Sequence, residues 1–152
     1  MDEKPNYDDP AVEDAWCDSR RHEVASYLQA QGLTHGRIGE WPAWHVAPVV
    51  SVWAIESATT PGAMGWWVIC GDLPTDYISA ADADDPRQAA SAFASRWRET
   101  AAAVEAGLDS STFQFGTSAE ERRSFAPMLR SRAELLARWA ADDEVWTDLF
   151  DE

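Results

Sequence analysis

Two short stretches hold most of the side chains able to do chemistry. GEWPAWHVAP at 39–48 carries Glu40, Trp41, Trp44 and His45, and MGWWVICGDLPTDYI at 64–78 carries Trp66, Trp67, Cys70, Asp72, Asp76 and Tyr77. Pro74 suits the second position of a β-turn running from Leu73 to Asp76, a geometry that brings the Asp72 and Asp76 carboxylates near each other. A carboxylate pair binds a cation or shares a proton, which is the raw material of acid, base or metal-assisted work. The same aspartates also suit a plain structural corner, in which each accepts hydrogen bonds from its own turn backbone. His45 stands among aromatics at a strand entry, whereas His22 falls on a helix and His35 in the loop after it. Joined to Asp72 and Asp76, it would complete an acid, base or ligand set. Cys70 with His45 as its base is a formal nucleophile, but a thiol on an apolar strand reads as buried and inert.

Tryptophan is the other unusual feature. Nine are present. Trp53, Trp97 and Trp139 fall on core stripes and Trp16 and Trp146 near helix ends, which leaves Trp41, Trp44, Trp66 and Trp67 around the two chemical loops. Side chains alternate along a strand, so Trp66 and Trp67 must face opposite sides of a sheet. An aromatic wall beside Glu40, His45, Asp72, Asp76 and Tyr77 suits a small molecule or a peptide. No metal-ligand histidine spacing, nucleophile elbow, phosphate loop or dinucleotide fingerprint occurs. No cofactor and no metal are expected.

The elements that must position these residues follow from periodicity. Asp9 and Pro10 open a first helix whose apolar positions run from Val12 to Leu28 and which Gly32 stops. Asp85, Pro86 and Gln88 open a second, with Ala89, Phe93, Trp97, Thr100, Ala101 and Val104 as its stripe and Gly107 at its end. A third starts at the Ser118 to Glu121 capping box, is expected to kink or restart at Pro127, and continues through Leu129, Leu136 and Trp139 towards a short turn at Val145 to Phe150. Between helices one and two, Val49 to Glu56 and Met64 to Cys70 are apolar on both faces and are separated by Pro61 and Gly62, the pattern of an antiparallel hairpin inside a sheet. Tyr77 to Ser79 and Phe113 to Phe115 offer further short strands. The expected fold is α+β, a small antiparallel sheet with a central hairpin packed against about three helices.

Composition sets the wider bounds. The 152 residues suit a single domain, 1–152, able to bury a core without a disulfide or a metal. The net charge of −15 is concentrated at acidic ends, 1–10 and 142–152, the second with six carboxylates and no base. Such ends solvate a protein or dock a basic partner. The eleven arginines form no stripe able to track phosphates, so nucleic acid is not expected as a partner. The run VAPVVSVWAI at 46–55 is too short to span a membrane, and the acidic start has no apolar leader. Cys17 and Cys70 show no disulfide or metal spacing, which points to the cytoplasm.

The segments EWPAWHVAPVVSVWAIES and PGAMGWWVICGDLPTDYISA, with RSRAELLARWAADDEVW near the end, resemble those of a family of short acidic bacterial proteins known only as a domain of unknown function. The likeness runs from about Trp16 to Trp146. It implies a stand-alone bacterial cytosolic domain and assigns no activity, catalytic residue, substrate or cofactor. The expected function is therefore a small binding or protein-interaction module that uses Glu40, Trp41, Trp44, His45, Trp66, Trp67, Asp72, Asp76 and Tyr77 towards a protein or a small molecule. The alternative is a small enzyme, hydrolytic or metal-assisted, built on Asp72, Asp76 and His45.

Overall fold

Asp9 accepts the Ala11 N–H at 3.0 Å and Pro10 fills the first helical position, so helix α1 (Pro10–Ala30) starts where capping chemistry places it. Gly32, at φ 66°, lies just past its end. The computed structural model describes residues 6–107 and 119–150, and the chain divides into two compact units, Met1–Ala81 and Asp82–Glu152.

In the first unit four strands follow α1: β1 (Trp44–Val46), β2 (Val50–Glu56), β3 (Met64–Gly71) and β4 (Leu73–Ser79). They form one antiparallel sheet in the order β1-β2-β3-β4. The expected central hairpin is β2 with β3, in a register that sets Trp53 against Val68 and Ser51 against Cys70. β4 is longer than the expected Tyr77 to Ser79, and β1 forms inside what the sequence suggests is loop. Only three residues long and closely flanked by Pro42 and Pro48, β1 is too short to show an alternating pattern.

Alternation sorts the side chains onto two faces. Trp53 and Ile55 of β2 with Val68 and Cys70 of β3 meet Val24 and Leu28 of α1 in a fully buried cluster, and Tyr27, Leu33, Ile38, Trp66 and Tyr77 pack around it. At roughly 1.5–3 kcal/mol for each large apolar side chain taken out of water, this cluster is what holds α1 to the sheet. The opposite set, Trp44, Val50, Val52, Trp67, Ile69, Asp76 and Ile78, is buried as well.

The second unit contains α2 (Pro86–Glu105), α3 (Ala119–Ala141) and α4 (Asp143–Phe150), after a 3₁₀ turn at Ala80–Asp82. Asp85 accepts the Gln88 N–H at 2.7 Å, while the Gln88 side chain accepts the Asp84 N–H at 2.9 Å. This reciprocal cap fixes the α2 start. α3 runs unbroken past Pro127, which lies on its exposed side, instead of restarting there. The missing hydrogen bond and ring clash cost about 3 kcal/mol, and burial of Ala126, Leu129, Ala133 and Leu136 on the other side works against that cost. The expected strand at Phe113 to Phe115 and the cap residue Ser118 lie outside the described residues. Among those described, no helix is long and apolar enough to cross a membrane.

Candidate functional site

Residues 36–46 run beside β2 as its outer neighbour. Glu56 N–H donates to the Arg37 carbonyl at 2.8 Å, Ile38 bridges to Ile55, and Ala43 N–H donates to the Val52 carbonyl at 2.8 Å. Between these anchors the chain bows outward at Glu40 and Trp41. The Arg21 guanidinium on α1 fixes the bow from the side, donating from Nε to the Gly39 carbonyl at 2.9 Å and from Nη2 to the Ile38 carbonyl at 3.0 Å. Trp41 is consequently 46% exposed, whereas Trp44, three residues on and back in the sheet, is 4% exposed.

His45 pairs with Ser51 across β1 and β2, so it points to the α1 side of the sheet. Trp41 meets its ring edge-on at a centroid distance of 5.4 Å, and Trp16 of α1 stacks on it at 6.2 Å. The Glu13 carboxylate lies 3.2 Å from His45 Nε2. Glu13 and Trp16 belong to a helical stripe of five residues, Glu13, Trp16, Arg20, Glu23 and Tyr27, spaced alternately three and four apart. Arg20 lies 5.9 Å over the Trp16 ring and pairs with Glu23, and Glu23 accepts the Thr75 hydroxyl at 3.2 Å. Tyr27 meets Tyr77 at 6.0 Å, and Tyr77 meets Trp66 at 5.7 Å. One face of α1 thus carries a line of polar and aromatic contacts from β1 across to β4.

The predicted surface is divided by this geometry. Trp41 and His45 come together, and Trp66 joins Tyr77 at the other end of the stripe. Glu40 is exposed, 3.8 Å from Arg37, and borders an open groove of about 270 Å³ with Ile38, Glu56 and Met64. Trp44, Trp67 and Asp76 point to the opposite face and are buried. Asp72 is exposed at the reversal between β3 and β4.

The reversal itself comes earlier than the Leu73 to Asp76 turn expected from Pro74. Gly71 adopts φ 143° and a Cβ there would overlap the Val49 carbonyl, so glycine alone lets the chain double back at Asp72. Pro74 sits in β4, an edge strand, where a missing N–H is tolerated. Ile69 pairs with Asp76 and Gly71 with Leu73, so β4 holds one extra residue in this stretch, a bulge. Asp76 lies past the bulge, and its Oδ1 accepts the Tyr77 N–H at 2.8 Å. Asp72, Asp76 and His45 therefore share neither a face nor a turn.

Cys70 occupies the row of Ser51 and His45 on the α1 side, but two strand spacings of about 4.8 Å put it roughly 10 Å from the imidazole. Its surroundings are closed: Trp53 Nε1 donates to Ser51 Oγ at 2.9 Å, Ser51 Oγ donates to the Cys70 carbonyl at 3.0 Å, and Cys70 Sγ lies 3.8 Å from the Arg20 carbonyl. Burial pushes the Cys70 thiol up to about 11 despite its contact with Ser51. Cys17 is likewise pushed up to about 11, by burial first and then by the Glu13 and Asp14 charges. Both are free thiols and poor nucleophiles at neutral pH. Among the described residues no group of three or more His, Cys, Asp and Glu side chains is placed to hold a metal ion.

A family model covers residues 11–146, nearly the whole described chain. The chain belongs to the family described as Domain of unknown function (DUF4826). No curated protein and no solved structure matches it. Within this member of the family, Glu13, Trp16 and Arg20 are the site residues that sequence reasoning missed. Their three-and-four spacing with Glu23 and Tyr27 was the available signal. It was hidden because Glu13 reads as an ordinary carboxylate in the first turn of a helix and Trp16 as a structural residue near a helix end.

Proposed function

We propose that the protein is a cytoplasmic bacterial binding module whose partner engages the β1 edge through Trp41, with Glu13, Trp16, Glu40 and His45 around it. The observation that carries this reading is the exposure of Trp41 beside a mostly buried His45 that Glu13 and Trp16 contact. An indole held out by a stapled loop, meeting His45 edge-on and preceded in the chain by the exposed Glu40, whose carboxylate Arg37 approaches only to 3.8 Å, offers a flat apolar surface with an acidic neighbour. Such a surface suits a lysine or arginine side chain of a protein partner, held by cation–π attraction and by a carboxylate. Arg20 lying over Trp16 is the same chemistry inside the molecule. The unpaired thiols fit a reducing compartment, and the scattered arginines give no reason to expect nucleic acid. The enzymatic alternative on Asp72, Asp76 and His45 has less behind it, because those three groups diverge.

The test is a binding screen of the full chain against short basic and acidic peptides. Basic peptides are expected to bind preferentially, and Trp41→Ala is expected to weaken the best of them by about tenfold or more, or about 1.4 kcal/mol. Equal binding of acidic peptides, or an unchanged affinity in the variant, would sink the proposal.

A further inference from the structure

A groove between α2 and α3 is lined by residues that the reading above leaves unused. We infer that it is a binding site for a small oxyanion, a phosphate or carboxylate carried on a compact apolar body. On α2, Arg87, Ser91, Ser95 and Arg98 follow one another at spacings of four, four and three, so they share a face. Ala137, Ala140 and Ala141 of α3 line the other wall. Side chains this short cannot fill the space between two helices, and a trough of about 380 Å³ remains. A second hollow of about 540 Å³ shares Arg98, Ala137 and Ala141 and adds Glu134 and Arg138.

The charges in this trough are arranged for capture. Arg87 donates from Nε to the Ala140 carbonyl at 2.7 Å and from Nη2 to Asp143 at 2.7 Å. Those bonds hold the guanidinium in place and use two of its five N–H donors. Arg98 and Arg138 have no ion-pair partner among the described residues, although the chain as a whole carries a net charge of −15. Arg87 and Arg98 line the trough and Arg98 and Arg138 the adjoining hollow, and Glu134 is the one carboxylate among the residues lining either, because Asp143, engaged by Arg87, lines neither. A guanidinium fork matches two oxygens of a carboxylate or phosphate, and the serine hydroxyls supply further donors. The alanine floor accepts an apolar body and gives it little else to hold. These features describe a small anion rather than a charged polymer, which needs a continuous basic track.

The experiment is a calorimetric titration of the full chain with inorganic phosphate, glycerol phosphate and succinate, against sodium chloride at matched ionic strength. Saturable binding of at least one of the three is expected, with glycerol phosphate or succinate as the stronger probe according to whether phosphate or carboxylate is preferred. Both arginines at issue are exposed, so the Arg98→Gln and Arg138→Gln double variant should fold, and it is expected to weaken binding by about tenfold or more. Arg123→Gln, an exposed change on α3 outside the groove, is expected to leave the affinity unchanged. Heats no different from those of chloride with all three probes would overturn the inference. So would an affinity that the double variant does not change, or one that Arg123→Gln lowers equally.

Discussion

At the β1 edge of the sheet, helix α1 lays Trp16 on His45, which a bowed loop also brings against Trp41, so that a helix, a loop and a strand meet; at the β4 edge, Asp72 and Asp76, four residues apart, end up exposed on a turn and buried in a strand. The difference teaches where proximity in a chain becomes proximity in space. Two residues in one strand share a face only when an even number of positions separates them, and a bulge changes that count. A helix crossing the strands has no such restriction, because its three-and-four spacing lets one face reach several strands in turn. Candidate chemistry on one hairpin end was therefore split, while chemistry drawn from three elements converged.

The largest expected effect tests whether the tryptophans divide into structural and presented classes. Trp53 is fully buried and donates to Ser51, so Trp53→Ala should cost about 3–5 kcal/mol in urea unfolding. Trp41→Ala should stay within about 0.5 kcal/mol, as a surface change does. Comparable losses in the two would erase the distinction on which the β1-edge reading stands.

A smaller effect separates the two aspartates. Asp76→Ala removes a buried acceptor from the Tyr77 N–H and should cost about 1–3 kcal/mol, against about 0.5 kcal/mol or less for Asp72→Ala. If Asp72→Ala proves the more damaging of the two by the same unfolding measurement, the exposed turn carries structural weight that its geometry does not suggest.

The smallest effect concerns the space beneath the α1 stripe, between the two edges, where Cys70 lies. Its folded value near 11 stands above the ordinary thiol value of 9.0, as does that of Cys17. A raised folded pKa means that folding favours the neutral thiol. The resulting stability is complete below pH 9 and drains away as pH rises towards 11. Unfolding midpoints should therefore fall across that window, and alkylation at pH 8 should run about tenfold or more slower in the native protein than in urea. Native thiols that react at the unfolded rate would show that the interior under the stripe is open.

Much of the fold was legible because its signals are local. Asp9 with Pro10 and Asp85 with Gln88 mark helix starts by hydrogen bonds within a few residues, and the β2–β3 hairpin shows as two apolar runs around Pro61 and Gly62. The alternation that sends Trp66 and Trp67 to opposite faces is equally local. The parts that were not legible depend on partners elsewhere. β1 exists because β2 offers it an edge. Pro74 reads as a turn former until the strand holding it proves to be an edge strand. Glu13 and Trp16 acquire a role only when α1 is laid across a strand that begins more than a dozen residues after the helix ends.

The Arg21 fork has a consequence for how this protein can change over generations. It grips the carbonyls of Ile38 and Gly39, groups that every amino acid supplies, and leaves the identities of residues 40 and 41 out of the fastening. Gly36, by contrast, is constrained, because a Cβ there would press on the Ser57 carbonyl and the Glu56 side chain. A lineage can therefore rewrite two exposed letters at the crest of the loop while its path stays put, so that, if Trp41 is the contact we propose, recognition can diverge among descendants on an inherited frame.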